Sequence, residues 1–204
     1  MSNDDFVPTG DAQLDAIERF FREAEAGVTI ADNFRAGVEV EEYENDSLYS
    51  GFSKVARAAG YEDLANLFTK VAGEEKLHAV WMREADPELT ARTFAPGAPE
   101  SEAAKAIRGQ IAEQEALVAE VSRRVHSEPA LRRQVAKRML HVAISVENIE
   151  ANKTYPEFAA AAHAAGNKRL AAMYERVMRS EAQHHKWYSE ALQKILAAPD
   201  PAFA

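Results

Sequence analysis

Cysteine is absent from all 204 residues. Within this stretch of chain that rules out disulfides, thiolate catalysis, structural zinc held on sulfur and iron–sulfur clusters. No apolar run approaches the roughly 18 residues that a bilayer-spanning helix needs, and the acidic, polar start from Met1 to Gly10 does not read as a signal peptide. No membrane partner is expected, and a cytoplasmic setting is. Positive charge is in deficit: 24 Lys and Arg against 33 Asp and Glu leave a formal charge of −9, which disfavours nucleic acid or an anionic lipid surface as partner. No segment shows the apolar–polar alternation of a strand. What remains, 47% apolar and 28% charged residues, is the composition of an ordinary globular protein with enough chain for one sizeable core.

Helical periodicity and its punctuation organise the chain. Residues 1–10 and 197–204 read as loose tails. Leu14, Ile17, Phe20, Phe21 and Ala24 give an N-terminal helix over 11–26. Thr29 can cap a second helix to about Ala59, Gly60 ends it, and a third runs from about Tyr61 to Ala85. Pro87, Pro96, Gly97 and Pro99 mark 86–100 as a connection. An extra amphipathic helix follows over 101–126. Ser127 and Pro129 then open a long helix to Ala165, Gly166 stops it, and a last helix covers about Asn167 to Leu196. The expectation is an all-α domain over 11–196: two helical hairpins (about 30–85 and 129–196) joined by the connection and extra helix of 86–128.

The two hairpins repeat one another at an offset of 106 residues. From Val40 to Trp81 the alignment needs no gap, and 15 of 42 positions are identical. Glu75-x-x-His78 matches Glu181-x-x-His184, Glu41 and Glu44 match Glu147 and Glu150, and Tyr49, Phe52, Gly60 and Trp81 match Tyr155, Phe158, Gly166 and Trp187. Residues three apart share one helix face. A single Glu-x-x-His is more often a surface ion pair, but two in register, each with a Glu-x-x-Glu 34 residues upstream, put six carboxylates and two imidazoles on four helices. That is the ligand inventory of a dinuclear metal centre in a bundle. One zinc cannot use so much oxygen, and calcium or magnesium gains little from imidazole. Iron or manganese suits the set. Two ions are expected, Fe/Fe first, with Mn/Fe and Mn/Mn as alternatives. Burying so many like charges is unfavourable without cations among them, so the metal should add to stability.

Spacing leaves one ambiguity. On an ideal helix Glu147 and Glu150 lie about 80° and 140° from Tyr155, off its face. One inserted residue, a π-bulge, would align all three, and Pro156 already interrupts the hydrogen-bond ladder there. The first half has the same spacing but also offers Glu42, nearly in line with Tyr49 without a bulge. The ligands on the helix from Thr29 to about Ala59 are therefore either Glu41 with Glu44, which the repeat favours, or Glu42 alone. Tyr49 and Tyr155 could hydrogen-bond the ligand carboxylates from behind or simply pack.

Glu42 with Tyr49, Gly60-Tyr61 and Glu75-Lys76-Leu77-His78-Ala79, then Glu147, Glu150, Tyr155-Pro156-Glu157-Phe158 and Glu181 to His184, resemble the rubrerythrin group of ferritin-like di-iron proteins. The symmetric ligand set looks most like the symerythrin branch. The resemblance covers about 35–85 and 140–190. It implies a ferritin-like four-helix bundle with metal ligands Glu42, Glu75, His78, Glu147, Glu150, Glu181 and His184. On the symmetric pattern, Glu41 and Glu44 replace Glu42. It also implies reduction of hydrogen peroxide, or reaction with O₂, at a non-haem di-iron site. The cysteine-ligated iron that usually feeds electrons in this group has no counterpart in these residues, so an external electron donor is expected. A di-iron oxygenase acting on an organic substrate and a ferritin-like ferroxidase are the competing functions, and a homodimer is the assembly left open.

Overall fold

The computed structural model of the protein describes residues 29–97, 123–124 and 129–197. The tail 1–10, the N-terminal helix over 11–26, nearly all of the extra helix over 101–126 and the residues beyond Ala197 lie outside that set. Regular structure among the described residues is entirely helical, and none of those helices is long and apolar enough to cross a membrane.

Helix α1 (Ile30–Tyr43) starts at a reciprocal cap. The Thr29 hydroxyl accepts the Asp32 backbone N–H at 3.2 Å, and the Asp32 carboxylate accepts the Thr29 N–H at 3.2 Å, so two of the donors orphaned at a helix start are satisfied. The chain continues through a π-helical segment, Glu44–Tyr49, into α2 (Ser50–Ala58), and returns as α3 (Glu62–Ala85). After the connection the plan recurs: α5 (Pro129–Ile149), a π-helical segment at Glu150–Thr154, α6 (Tyr155–Ala164) and the return helix α7 (Lys168–Ala197). Both hairpin turns close alike. Gly60 (φ 83°) and Gly166 (φ 76°) take the left-handed conformation, which costs a residue without Cβ nothing. The next N–H, from Tyr61 or Asn167, reaches back to the Ala56 or Ala162 carbonyl at 2.9 Å, the six-to-one bond of a Schellman end.

The connection is more ordered than its prolines suggest. A short helix, α4 (Pro87–Thr93), begins where the Asp86 carboxylate accepts the Leu89 N–H at 2.8 Å, with Pro87 in the first turn. There the missing N–H of proline costs nothing, because that donor has no intrahelical partner anyway.

The four long rods pack as two hairpins, with α3 and α7 in contact between them. The core divides in two. Val40, Leu48, Phe68, Leu140, Val146 and Leu192 belong to one apolar cluster, and Phe34, Met82, Phe158, Leu170 and Val177 to the other. On every long helix the Glu and His residues of the repeat fall between residues of these two clusters, so a charged layer is sealed by apolar packing above and below. Gly37 lets the rods approach, since a Cβ there would stand 3.2 Å from Met82 Sδ.

Candidate metal centre

The π-helical segments decide which face Glu41, Glu44, Glu147 and Glu150 present. Each segment absorbs one residue, which turns the upstream glutamates by about 100° relative to a straight α-helix and brings them within about 40° of the tyrosine that follows. In the second hairpin the Tyr155 N–H bonds to the Glu150 carbonyl, five residues back, and the next residue, Pro156, has no N–H to give. In the first hairpin the equivalent of Pro156 is Ser50, whose hydroxyl takes up the Asn45 carbonyl at 2.5 Å. The two halves close the same irregularity by different chemistry.

All four of these glutamates are buried, as are Glu75, His78, Glu181 and His184, with at most 1% of any of them exposed. Glu42 is not among them. Its side chain is 45% exposed and pairs with Arg83 at 2.8 Å. Of the alternatives left open by the spacing, Glu41 and Glu44 are directed inward and Glu42 outward.

Three carboxylate oxygens surround each imidazole Nδ1. Around His78 Nδ1 lie Glu75 Oε2 at 2.8 Å, Glu181 Oε1 at 2.9 Å and Glu41 Oε2 at 3.1 Å. Around His184 Nδ1 lie Glu181 Oε2 at 2.9 Å, Glu75 Oε1 at 3.1 Å and Glu147 Oε2 at 3.3 Å. Glu75 and Glu181 are common to both groups, one oxygen to each, while Glu41 and Glu147 belong to one group each. A single ring N–H can serve one acceptor well, not three. Both Glu75 oxygens lie close to the rings without hydrogen-bond geometry, and Glu44 Oε2, both Glu150 oxygens, Glu147 Oε2 and Glu181 Oε1 also lack a hydrogen-bond partner. Lone pairs converging with far fewer donors than acceptors between them fit cations, and one imidazole with three carboxylates in each group would hold one, Glu75 and Glu181 being common to both. Glu44 and Glu150 fall outside the two tight groups but sit one turn further along the same faces.

Behind these groups the two tyrosines cross between hairpins. The Tyr49 hydroxyl donates to Glu147 Oε1, and the Tyr155 hydroxyl to Glu41 Oε1. Each helix hairpin therefore orients a carboxylate of the other.

Electrostatics without cations is strained. Burial pushes Glu41 up to about 8, against the pull of His78. Burial and then neighbouring carboxylates hold Glu44 and Glu150 well above the ordinary range, and burial raises Glu147 although His184 opposes it. Glu181 goes the other way: burial disfavours its charge, but His78 and His184 outweigh that and bring it to about 2. Burial opposes the charge on both histidines too, and is outweighed by Glu181 and Glu41 at His78, and by Glu75 and Glu147 at His184. Such a cluster must take up either protons or metal.

Further contacts surround the two imidazoles. The Trp81 and Trp187 rings lie against His78 and His184, centroids 5.2 and 5.5 Å apart. Each indole carries a cation on its face, Arg176 over Trp81 at 3.4 Å and Lys70 over Trp187 at 3.3 Å. Lys70 and Arg176 are themselves related by the 106-residue offset, a signal available in the alignment but carried by a conservative replacement rather than an identity. Glu74 reaches His184 Nε2 at 2.9 Å, and no motif pointed to it. His141 is exposed, and His163 forms an exposed pair with Glu175 at 3.1 Å.

Comparison with known proteins gives one consistent picture. The rubrerythrin family profile matches residues 11–92. Symerythrin of Cyanophora paradoxa is 33% identical over 180 residues, covering 88% of this chain and 92% of that protein. Rubrerythrin of Porphyromonas gingivalis is 28% identical over 153 residues, covering 73% of this chain and 59% of that longer protein. Among solved structures, that of the Cyanophora paradoxa symerythrin, reduced with dithionite, superposes with a TM-score of 0.67 at 28% identity over 90% of this chain and 94% of that one.

Proposed function

The chain belongs to the rubrerythrin family and has its ferritin-like helical fold, and from that premise we propose that it is a non-haem di-iron protein that reduces hydrogen peroxide with electrons from an external donor. The observation that carries the reading is the pair of four-residue groups sharing Glu75 and Glu181, buried together between four helices. The family binds a di-iron centre, and the metal ligands here are Glu41, Glu44, Glu75, His78, Glu147, Glu150, Glu181 and His184. Two iron ions held in this layer would supply two electrons, one from each, which is the number that H₂O₂ takes up with two protons to give two waters. The protein's own part is positional. Glu75 and Glu181, common to both groups, would hold the two ions next to one another. Tyr49 and Tyr155 hold Glu147 and Glu41 in line, and the apolar clusters above and below keep bulk water out. With no cysteine in these residues, electrons to reset the pair would come from a donor outside them. A relative solved in a dithionite-reduced state supports redox cycling at this kind of site.

The test is direct. Protein expressed with ample iron should carry two metal ions per chain. Once reduced and mixed with stoichiometric H₂O₂, it should oxidise within seconds, and more slowly with O₂, as read by stopped-flow absorption. Oxidation by O₂ at an equal or greater rate, with hydroxylation of a bound organic molecule, would establish the oxygenase instead. One tight zinc and no second metal would remove the dinuclear site altogether.

The ligand set has its own test. Glu44→Ala and Glu150→Ala should each weaken metal binding at least about tenfold, the lower end of the cost of losing even an outer partner of a metal ligand. Glu42→Ala, which removes only an exposed ion pair worth about 0–1 kcal/mol, should leave metal content and spectra unchanged. A Glu42→Ala protein that loses metal while Glu44→Ala retains it would reverse the assignment.

A further inference from the structure

The 106-residue repeat is broken at one place that touches a histidine. Glu74, just before Glu75, corresponds to Ser180, just before Glu181. Glu74 Oε2 lies 2.9 Å from His184 Nε2, on the opposite hairpin. The Ser180 hydroxyl does not make the reciprocal contact: it lies 3.5 Å from the same His184 Nε2. His78 Nε2 is buried and has no hydrogen-bond partner among the described residues. Much else around the two rings is matched: each Nδ1 has three carboxylate oxygens around it. Each ring lies against an indole and each indole lies under a cation, so the one charged group that meets a single ring's Nε2 is Glu74.

We infer that Glu74 is a positioning residue that makes the two metal positions unequal, strengthening the one served by His184 over the one served by His78. An imidazole binds a cation through Nδ1 only when the ring is neutral and its proton sits on Nε2. A carboxylate accepting that proton fixes the tautomer, locks the ring plane and makes Nδ1 a stronger donor. Glu74 is placed to do this for His184. Its other oxygen, Oε1, lies 3.7 Å from Lys70 Nζ one turn earlier on α3, and Lys70 in turn sits on Trp187, which packs on His184. The four side chains close a ring, so Glu74 stays in place although its side chain is 31% exposed. With a metal on Nδ1, the Nε2 proton of His78 would find no acceptor among the described residues. A sequence repeat that would make two equal sites thus yields a stronger and a weaker one.

This inference rests on the dinuclear reading, and one experiment separates the two. Metal-free protein is titrated with cobalt(II), followed by its visible absorption, with total stoichiometry measured in parallel. Wild-type protein should bind two cobalt ions in two phases separated by about 10- to 100-fold in affinity, the usual weight of an outer partner of a metal-bound histidine. Glu74→Gln, which replaces the carboxylate with a neutral amide of similar shape, should weaken the tight phase by that factor and bring the two phases together, with stoichiometry still two. Ser180→Glu places a carboxylate at the position the repeat relates to Glu74, from which the same reach across the hairpins would bring it to His78, and should tighten the weak phase. Two separated phases that persist unchanged in both variants overturn the role of Glu74 while leaving the dinuclear centre intact. A wild-type stoichiometry below two overturns the underlying reading instead.

Discussion

Stripping the metal from the loaded protein should lower its melting temperature by about 20 °C. Two sites, each filled at about a thousand times its dissociation constant, contribute about 4 kcal/mol apiece to the folded state. A chain of this size changes by about 2–4 °C per kcal/mol. The physical source is the charged layer itself: six buried carboxylates, most of them pushed toward the protonated form by burial and by one another. The sign of a substitution should therefore depend on the metal. In loaded protein Glu150→Leu removes a ligand and is destabilising. In stripped protein it removes a buried, unpartnered carboxylate and should stabilise, by about 1–4 kcal/mol if it follows other replacements of buried charge by apolar groups. Calorimetry of both proteins before and after chelation checks this. A melting temperature that does not respond to chelation in the wild type would mean that no cation holds the layer together.

An alanine inserted beside Asp46 should cost the first hairpin its share of the site, whereas deletion of Asp46 should not. Asp46 is exposed within the π-helical segment Glu44–Tyr49, so neither change removes a core contact. The segment already holds one residue more than an α-helix would. Deleting one residue lets it relax to α-helix with Glu41, Glu44 and Tyr49 still on a common face. Adding one turns Glu41 and Glu44 by about 100° away from the layer. In an ordinary α-helix the two changes would be equally disruptive, in opposite senses. Metal content should remain near two after the deletion and fall by at least one equivalent after the insertion, with circular dichroism confirming that both proteins stay helical. Equal loss from both would show that the π-helical turn does more than set phase.

Among the described residues, the long helices and their order were legible in the sequence because each depends on local chemistry. Thr29 with Asp32 caps α1, glycines 106 residues apart end α2 and α6, and an apolar period near 3.6 writes a buried face into every rod. The glutamates and histidines that meet in the bundle were legible too, through the repeat. Two copies of one spacing place equivalent residues at equivalent heights on four helices whatever the details of packing. Helix α4 was missed because prolines at 87, 96 and 99 read as breakers, while Asp86 and Pro87 together form a helix start.

What only the tertiary structure decided is phase and pairing across helices. Counting residues left Glu41 with Glu44 and Glu42 as rival choices, since a π-helical turn changes direction by a whole residue and leaves no unambiguous mark in composition. The rods had to pack before Glu42 met Arg83 at the surface and Glu41 met His78 inside. The crossing of Tyr49 to Glu147 and of Tyr155 to Glu41, and the reach of Glu74 to His184, join residues about 100 positions apart. Such contacts follow from how close and at what angle two helices lie, and helix periodicity alone does not determine either. The sequence by itself determined which residues could form a symmetric centre. The packing determined which of them face it, and left the two halves unequal at Glu74 and Ser180.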